Sequence, residues 1–172
     1  MYTIGVTGSG GGVGQGIIKS LQNTDYSVIA MDGEVLETGL YAALKAYKIP
    51  YANSPHYIDV LLQICQENKI DLLFPGLDIE LDILSKNKEK FLTVGTKVIV
   101  SNSKVIDIAE DKWLTFDKLT KLGFHVPHTQ KLTQGVANFE YPFIIKPYIG
   151  GARSINVFLI KNEDHYKSTL DK

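Results

Sequence analysis

Short apolar runs and helical patterns alternate along this chain from its first residues, and that alternation leaves few folds open to it. Residues 2–7, YTIGVT, read as a strand, 13–21 as a helix, and SVIAM at 27–31 as a second strand. A short helix is expected around 40–47, just before Ile49-Pro50. Ser54-Pro55 offers an N-cap and first-turn pair for a helix running to about Asn68. DLLFP (71–75) then reads as a buried strand, 78–91 as a helix turning Ile79, Leu81 and Leu84 inward, and KVIVS (97–101) as a last strand. Strands and helices in this order predict an α/β domain built on a parallel sheet.

The character changes near residue 105. A short segment, SKVIDIAE, leads to a helix over about 112–122 with a stop at Gly123 and a break at Pro127. Strands are expected at 143–147 and 155–160, followed by a charged tail that begins as a helix. At 172 residues the chain holds one full domain, 1–105, and a second, short segment, 106–172.

Several function classes are set aside by composition. Net charge is −1, with no basic excess to hold a nucleic-acid backbone, so no nucleic-acid partner is expected. No apolar run approaches the roughly 20 residues of a membrane span, and the chain enters a strand at once with no basic leader, which predicts no membrane partner and a cytoplasmic location. Cys65 is the single cysteine and shares a helical stripe with Ile58, Leu61 and Leu62, so it reads as a core thiol. His125 and His128 flank Val-Pro, while His56 and His165 are isolated; no shared metal is expected.

TGSGGGVGQG (7–16) follows the first strand and opens the first helix, the place of a nucleotide-binding turn, and Asp32 ends the second strand. The strict G-x-G-x-x-G spacing fails, although a looser T-G-x-x-x-G-x-G fits at Thr7, Gly8, Gly12 and Gly14. Two readings stay open: glycines that permit close strand-to-helix packing, or a helix N-terminus that receives a carboxylate or phosphate. Tyr41 and Lys45 form a Y-x-x-x-K pair too early in the chain to act as a dehydrogenase dyad. Further on, YPFIIKPYIGG (141–151) ends an apolar run in Lys146 and follows it with Gly150 and Gly151. A lysine so placed costs desolvation energy unless an anion meets it, and a glycine-rich turn closes backbone N–H groups over the same anion.

The ordered motifs TGSGGGVGQGIIKSL, VIAMD, GLYAALKAYKIP, IDLLFPGLDIELDIL, AEDK, G-x-x-V-P-x-T and Y-P-x-I-I-K-P resemble ATP-grasp proteins, most like the carbamoyl-phosphate synthase large chain, over nearly the whole chain. The resemblance implies a Rossmann-like parallel sheet as the pre-ATP-grasp domain, followed by the start of an ATP-grasp domain. It implies that ATP is held by Lys112 and Lys146 with Gly150, Gly151, Arg153 and Ser154, although the loop 150–156 carries fewer glycines than the family pattern. Arg153 then either reaches a phosphate or is an exposed loop arginine. Gly10, Gly11, Gly12, Asp78 and Glu80 fall on the substrate side, where Asp78 alternatively caps the helix that follows it.

The activity implied is an ATP-dependent carboxylate–amine or carboxylate–thiol ligase acting through an acyl phosphate. Its partners are ATP, a small carboxylate and an amine. Its Mg2+ ligands are expected outside these 172 residues, which read as an N-terminal portion inactive alone. Two other classes remain: an NAD(P)-binding oxidoreductase or regulatory domain resting on the glycine loop and Asp32, and the half-chain of a split ligase completed by a homodimer or a partner chain.

Overall fold

Five short strands, β1 (Thr3–Val6), β2 (Ser27–Asp32), β3 (Lys45–Lys48), β4 (Leu72–Phe74) and β5 (Lys97–Val98), form a parallel sheet in the order β3-β2-β1-β4-β5. They belong to the first of two compact units, Met1–Ile106 and Asp107–Lys172, in a computed structural model that describes residues 1–134, 139–150 and 154–170. Side chains alternate across each strand. In β2, Ile29 and Met31 enter the larger core with α2 (Tyr57–Asn68) and α3 (Asp78–Thr93), while Ala30 joins Ile4, Val6 and Ile18 of α1 (Gly12–Leu21) in a smaller one. Gly5 faces the larger core, where an added Cβ would stand 2.8 Å from the Met31 Cε atom. The sheet is therefore covered on both faces, as near-continuous apolar strands require.

Local sequence explains most of these elements. In α2, Ile58, Leu61, Ile64 and Cys65 make a buried stripe, and the helix ends at Lys69 in left-handed conformation, whose N–H caps the carbonyls of Cys65 and Gln66. The helix starts at Tyr57, two residues after the expected Ser54-Pro55 pair, because Ser54 forms a turn that accepts the Tyr57 N–H on its carbonyl.

Two further expectations are corrected. Residues 40–47 do not form a helix: a 3-10 turn over Thr38–Ala42 leads into β3, whose residues pair with β2 from Ile29↔Lys45 to Asp32↔Lys48. The open edge of β2 offers backbone partners that a lone short helix cannot supply, and an edge strand tolerates the mostly exposed side chains seen here. In α3, Ile79 is 68% exposed and Glu80 is buried instead, together with Leu84, Ser85 and Phe91. The turn that feeds α3 ends in extended conformation at Leu77, and in the first turn of the helix it is Glu80 that faces inward, while Leu84 is buried as expected.

The second unit contains the end of α4 (Ser103–Glu110), α5 (Lys112–Lys121), an antiparallel pair of β6 (Phe143–Ile145) with β7 (Phe158–Ile160), and α6 (Glu163–Leu170). Asp111 caps α5 by accepting the N–H groups of Trp113 and Leu114. Phe143 meets the rings of Phe139, Tyr141 and Tyr166 at centroid distances of 5.6, 5.4 and 6.0 Å. Among the described residues no helix is long and apolar enough to cross a membrane.

Candidate functional site

In the first unit the chain passes from β1 through α1 to β2 on one side, and later enters β4 on the other, so the sheet reverses its order between β1 and β4. The carboxyl ends of the strands at such a reversal frame a crevice that binds ligands in open α/β folds. The 7–12 turn and the 75–77 turn line it. Thr7 N donates to the Phe74 carbonyl at 3.1 Å, and Ser9 N to the Met31 carbonyl at 3.2 Å. Gly8 adopts φ +53, where a side chain would also strike Leu77. A Cβ on Gly76 would collide with the Thr7 carbonyl, and one on Gly14 with the Gly8 carbonyl, so the turns and the start of α1 touch backbone to backbone.

The glycines expected on the substrate side divide in their surroundings. Gly10 N donates to Asp32 Oδ2 at 2.8 Å, and the Glu37 side chain lies directly over the Gly10 Cα. Gly11 N donates to the Gly8 carbonyl at 3.0 Å. Open space lies beside Gly12, and no side chain caps α1, so the first amides of that helix face a region a ligand can enter.

Asp32 does not stand free for a ribose. Its Oδ2 holds Gly10 N and its Oδ1 accepts the Glu34 N–H at 3.1 Å, so it serves as a brace for the loop. Asp78 is exposed in the first turn of α3 and makes no cap; its charge favours the helix N-terminus from there.

Glu80 is 2% exposed, and its Oε2 lies 2.6 Å from the Thr7 hydroxyl oxygen. Burial pushes its carboxyl above the usual range, against the pull of Thr7, Tyr57 and the peptides of Leu77 and Gly76. The Tyr57 hydroxyl, fully buried, stands beside Glu80 but outside hydrogen-bonding geometry; burial first, and then the neighbouring Glu80 charge, push it up. Tyr57 and Glu37 are absent from the sequence expectations, and Thr7 entered them only as the first position of a glycine-loop pattern, not as a partner of Glu80. The signal available was Glu80 itself, a carboxylate four residues before Leu84 on one helix face.

In the second unit, Lys112 opens α5. Its backbone N–H donates to the Tyr148 carbonyl at 2.8 Å and its Nζ donates to the Gly150 carbonyl at 2.7 Å, with Gly150 at φ +76. An ammonium has three donors, so two remain for an anion beside this turn. Lys146 lies just past β6 and is exposed, so the burial expected of it is absent and its pull on an anion rests on position alone. Ser154 is exposed at φ +60, while Gly151 and Arg153 lie outside the described residues. Among the described residues no group of three or more His, Cys, Asp or Glu side chains could hold a metal, so no magnesium ligand set is assigned to them.

The fold has counterparts among solved structures. The chain matches N5-carboxyaminoimidazole ribonucleotide synthetase from Thermotoga maritima with a TM-score of 0.68 at 24% identity, covering 98% of this chain and 43% of that one. It matches the ADP complex of N5-carboxyaminoimidazole synthetase from Staphylococcus aureus at 0.69 and 20%, covering 99% and 44%. It matches an L-amino acid ligase from Bacillus licheniformis at 0.71 and 15%, covering 99% and 42%. The chain thus spans less than half the length of these proteins. Comparison with curated proteins finds no significant match by sequence.

The fold these structures share with the chain is that of the amino-terminal part of ATP-grasp enzymes. Within that class the chain belongs to the PylC-like family: residues 7–99, more than half of it, match the family's N-terminal domain. Nothing in these matches singles out the carbamoyl-phosphate synthase subgroup.

Proposed function

We propose that these residues are the N-terminal portion of an ATP-dependent ligase that joins a small carboxylate to an amine, or to a thiol, through an acyl phosphate. The observation that carries this is Lys112, seated with its Nζ on the Gly150 carbonyl, in a chain of the PylC-like family. A carboxylate oxygen attacks the γ-phosphorus and the bond to ADP breaks; the nucleophile then attacks the acyl carbon, phosphate leaves, and the nucleophile gives up its proton. Lys112 and Lys146, with Gly150, Gly151, Arg153 and Ser154, face the phosphates in this reading. Gly10, Gly11, Gly12 and Asp78 face the acid or amine, with Glu80 beneath them. Lysine charge offsets the charge of the transferring group. Magnesium, when bound, would supply further charge neutralisation, and in this reading its ligands come from outside these 172 residues.

Calorimetric titration with MgATP and, separately, with NADH tests the reading. MgATP binding that Lys112→Ala weakens at least about tenfold, equivalent to ~1.4 kcal/mol, is the expected result. NADH binding untouched by Lys112→Ala and Lys146→Ala would overturn it in favour of a dinucleotide domain.

One observation supports completion by further chain, whether covalent or from a partner. Ile144 and Leu159 pair across β6 and β7 on one exposed apolar face, with Tyr148 and Ile149 exposed nearby in sequence. Light scattering that shows a clean monomer at all concentrations would count against a partner chain.

A further inference from the structure

We propose that Glu80 is a positioning residue whose proton locks the 7–12 glycine turn to the 75–77 turn, making the crevice between β1 and β4 a site whose shape responds to pH. This deepens the ligase reading, because it assigns regulation to the same crevice. The inference rests on hydrogen-bond arithmetic in a buried place. The Thr7 hydroxyl oxygen lies 2.6 Å from Glu80 Oε2 and 3.5 Å from the Phe74 carbonyl oxygen. A hydroxyl has one hydrogen, so it cannot donate to both. When Glu80 is protonated, its O–H donates to Thr7 and the Thr7 hydroxyl donates to Phe74, which ties α3, β1 and β4 in one relay. When Glu80 gives its proton to solvent, the Thr7 hydrogen turns to the carboxylate and the Phe74 carbonyl loses its side-chain donor.

The surroundings favour the protonated relay. From α2 the group facing Glu80 is the Tyr57 hydroxyl, from the end of β1 it is Thr7, and from the turn before α3 the peptides of Gly76 and Leu77; Asp32, at the end of β2, acts on Tyr57. None of these is a cation, so the hydrogen bonds that Glu80 receives offset its desolvation only in part, and burial remains the largest effect on it. Burial accordingly holds the Glu80 carboxyl above its ordinary 4.5. An acid held up in the folded state contributes stability that is complete below its unfolded value and is lost as pH rises through the folded one. The strain of ionisation falls on Thr7, the residue before Gly8, whose left-handed backbone leads into the glycine turn.

The test records the amide resonances and exchange protection of Gly10, Gly11 and Gly12 in the full chain between pH 5 and 8, for the wild type, Glu80→Gln, Glu80→Ala and Thr7→Val. In the wild type the three glycine resonances are expected to titrate together, with protection of the bonded Gly10 and Gly11 amides falling about tenfold as pH rises. Glu80→Gln keeps the low-pH positions and removes the titration, as a conservative rescue should. Thr7→Val displaces the resonances at every pH, and Glu80→Ala does the same if it folds; Glu80→Gln and Thr7→Val carry the test if it does not. Persistence of the titration in Glu80→Gln, or unmoved glycine resonances in Thr7→Val, would overturn the proposal. Absence of MgATP binding by the wild-type chain would sink the ligase reading and leave this titration in place, so the two failures are distinguishable.

Discussion

The two units solve the problem of burial in opposite ways. Met1–Ile106 sandwiches a parallel sheet between helices and buries a continuous set of large side chains, from Met31 and Tyr57 to Leu84 and Phe91. In Asp107–Lys172, among the described residues, Ile160 is the buried hydrophobic side chain, and order comes from aromatic rings packed around Phe143 and from the caps of α5. The difference teaches where stability and where binding reside. A covered sheet can hold a precise crevice, whereas a two-stranded sheet with one bare face is marginal by itself and gains from whatever covers it.

That comparison can be broken most directly by matched truncations. Leu84→Ala, in the first core, is expected to cost about 2–5 kcal/mol in urea unfolding, whereas Leu159→Ala on the bare face of β7 should cost under about 1 kcal/mol. Equal costs would mean that the face is covered in solution. Next in size, Gly76→Ala drives a Cβ into the Thr7 carbonyl and should lose about 1–3 kcal/mol; the same change at Gly12, beside open space, should be close to neutral in thermal melts. Asp111→Ala removes the cap of α5 and is expected to lower stability by about 1 kcal/mol, an effect visible as weaker helical signal in circular dichroism without loss of the first unit's transition. The smallest effect belongs to Lys121→Ala. Its ion pair with Asp117 at 2.7 Å is exposed, and a change above about 0.5 kcal/mol would show that α5 is less autonomous than its caps suggest.

Much of the fold was legible because it is written in local periodicity. The strands at Thr3–Val6 and Ser27–Asp32, helix α1, helix α5 and the core thiol Cys65 all follow from spacing that any chain with that pattern must satisfy. Around the candidate sites less could be read. Asp32 sits where a ribose-binding acid would, yet both its oxygens are taken by Gly10 and Glu34. Lys146 was singled out for burial and is exposed, because β6 ends one residue before it. Lys112, which only the family resemblance singled out, donates across 38 residues to the Gly150 carbonyl, a contact that no local pattern shows.

By itself, then, the sequence determined the alternation of elements, the order of the motifs, and the helix that Lys112 opens with its stop at Gly123. These depend on neighbours within a turn or two, where propensity and hydrophobic period act. Tertiary structure alone decided that 45–48 becomes an edge strand, that Glu80 and not Ile79 turns inward, and that Thr7 is the partner it finds there. The reason is physical: a free strand edge and the exit angle of the turn before a helix are set by segments distant along the chain, and a buried carboxyl is tolerated only where such segments bring it a hydrogen-bond partner.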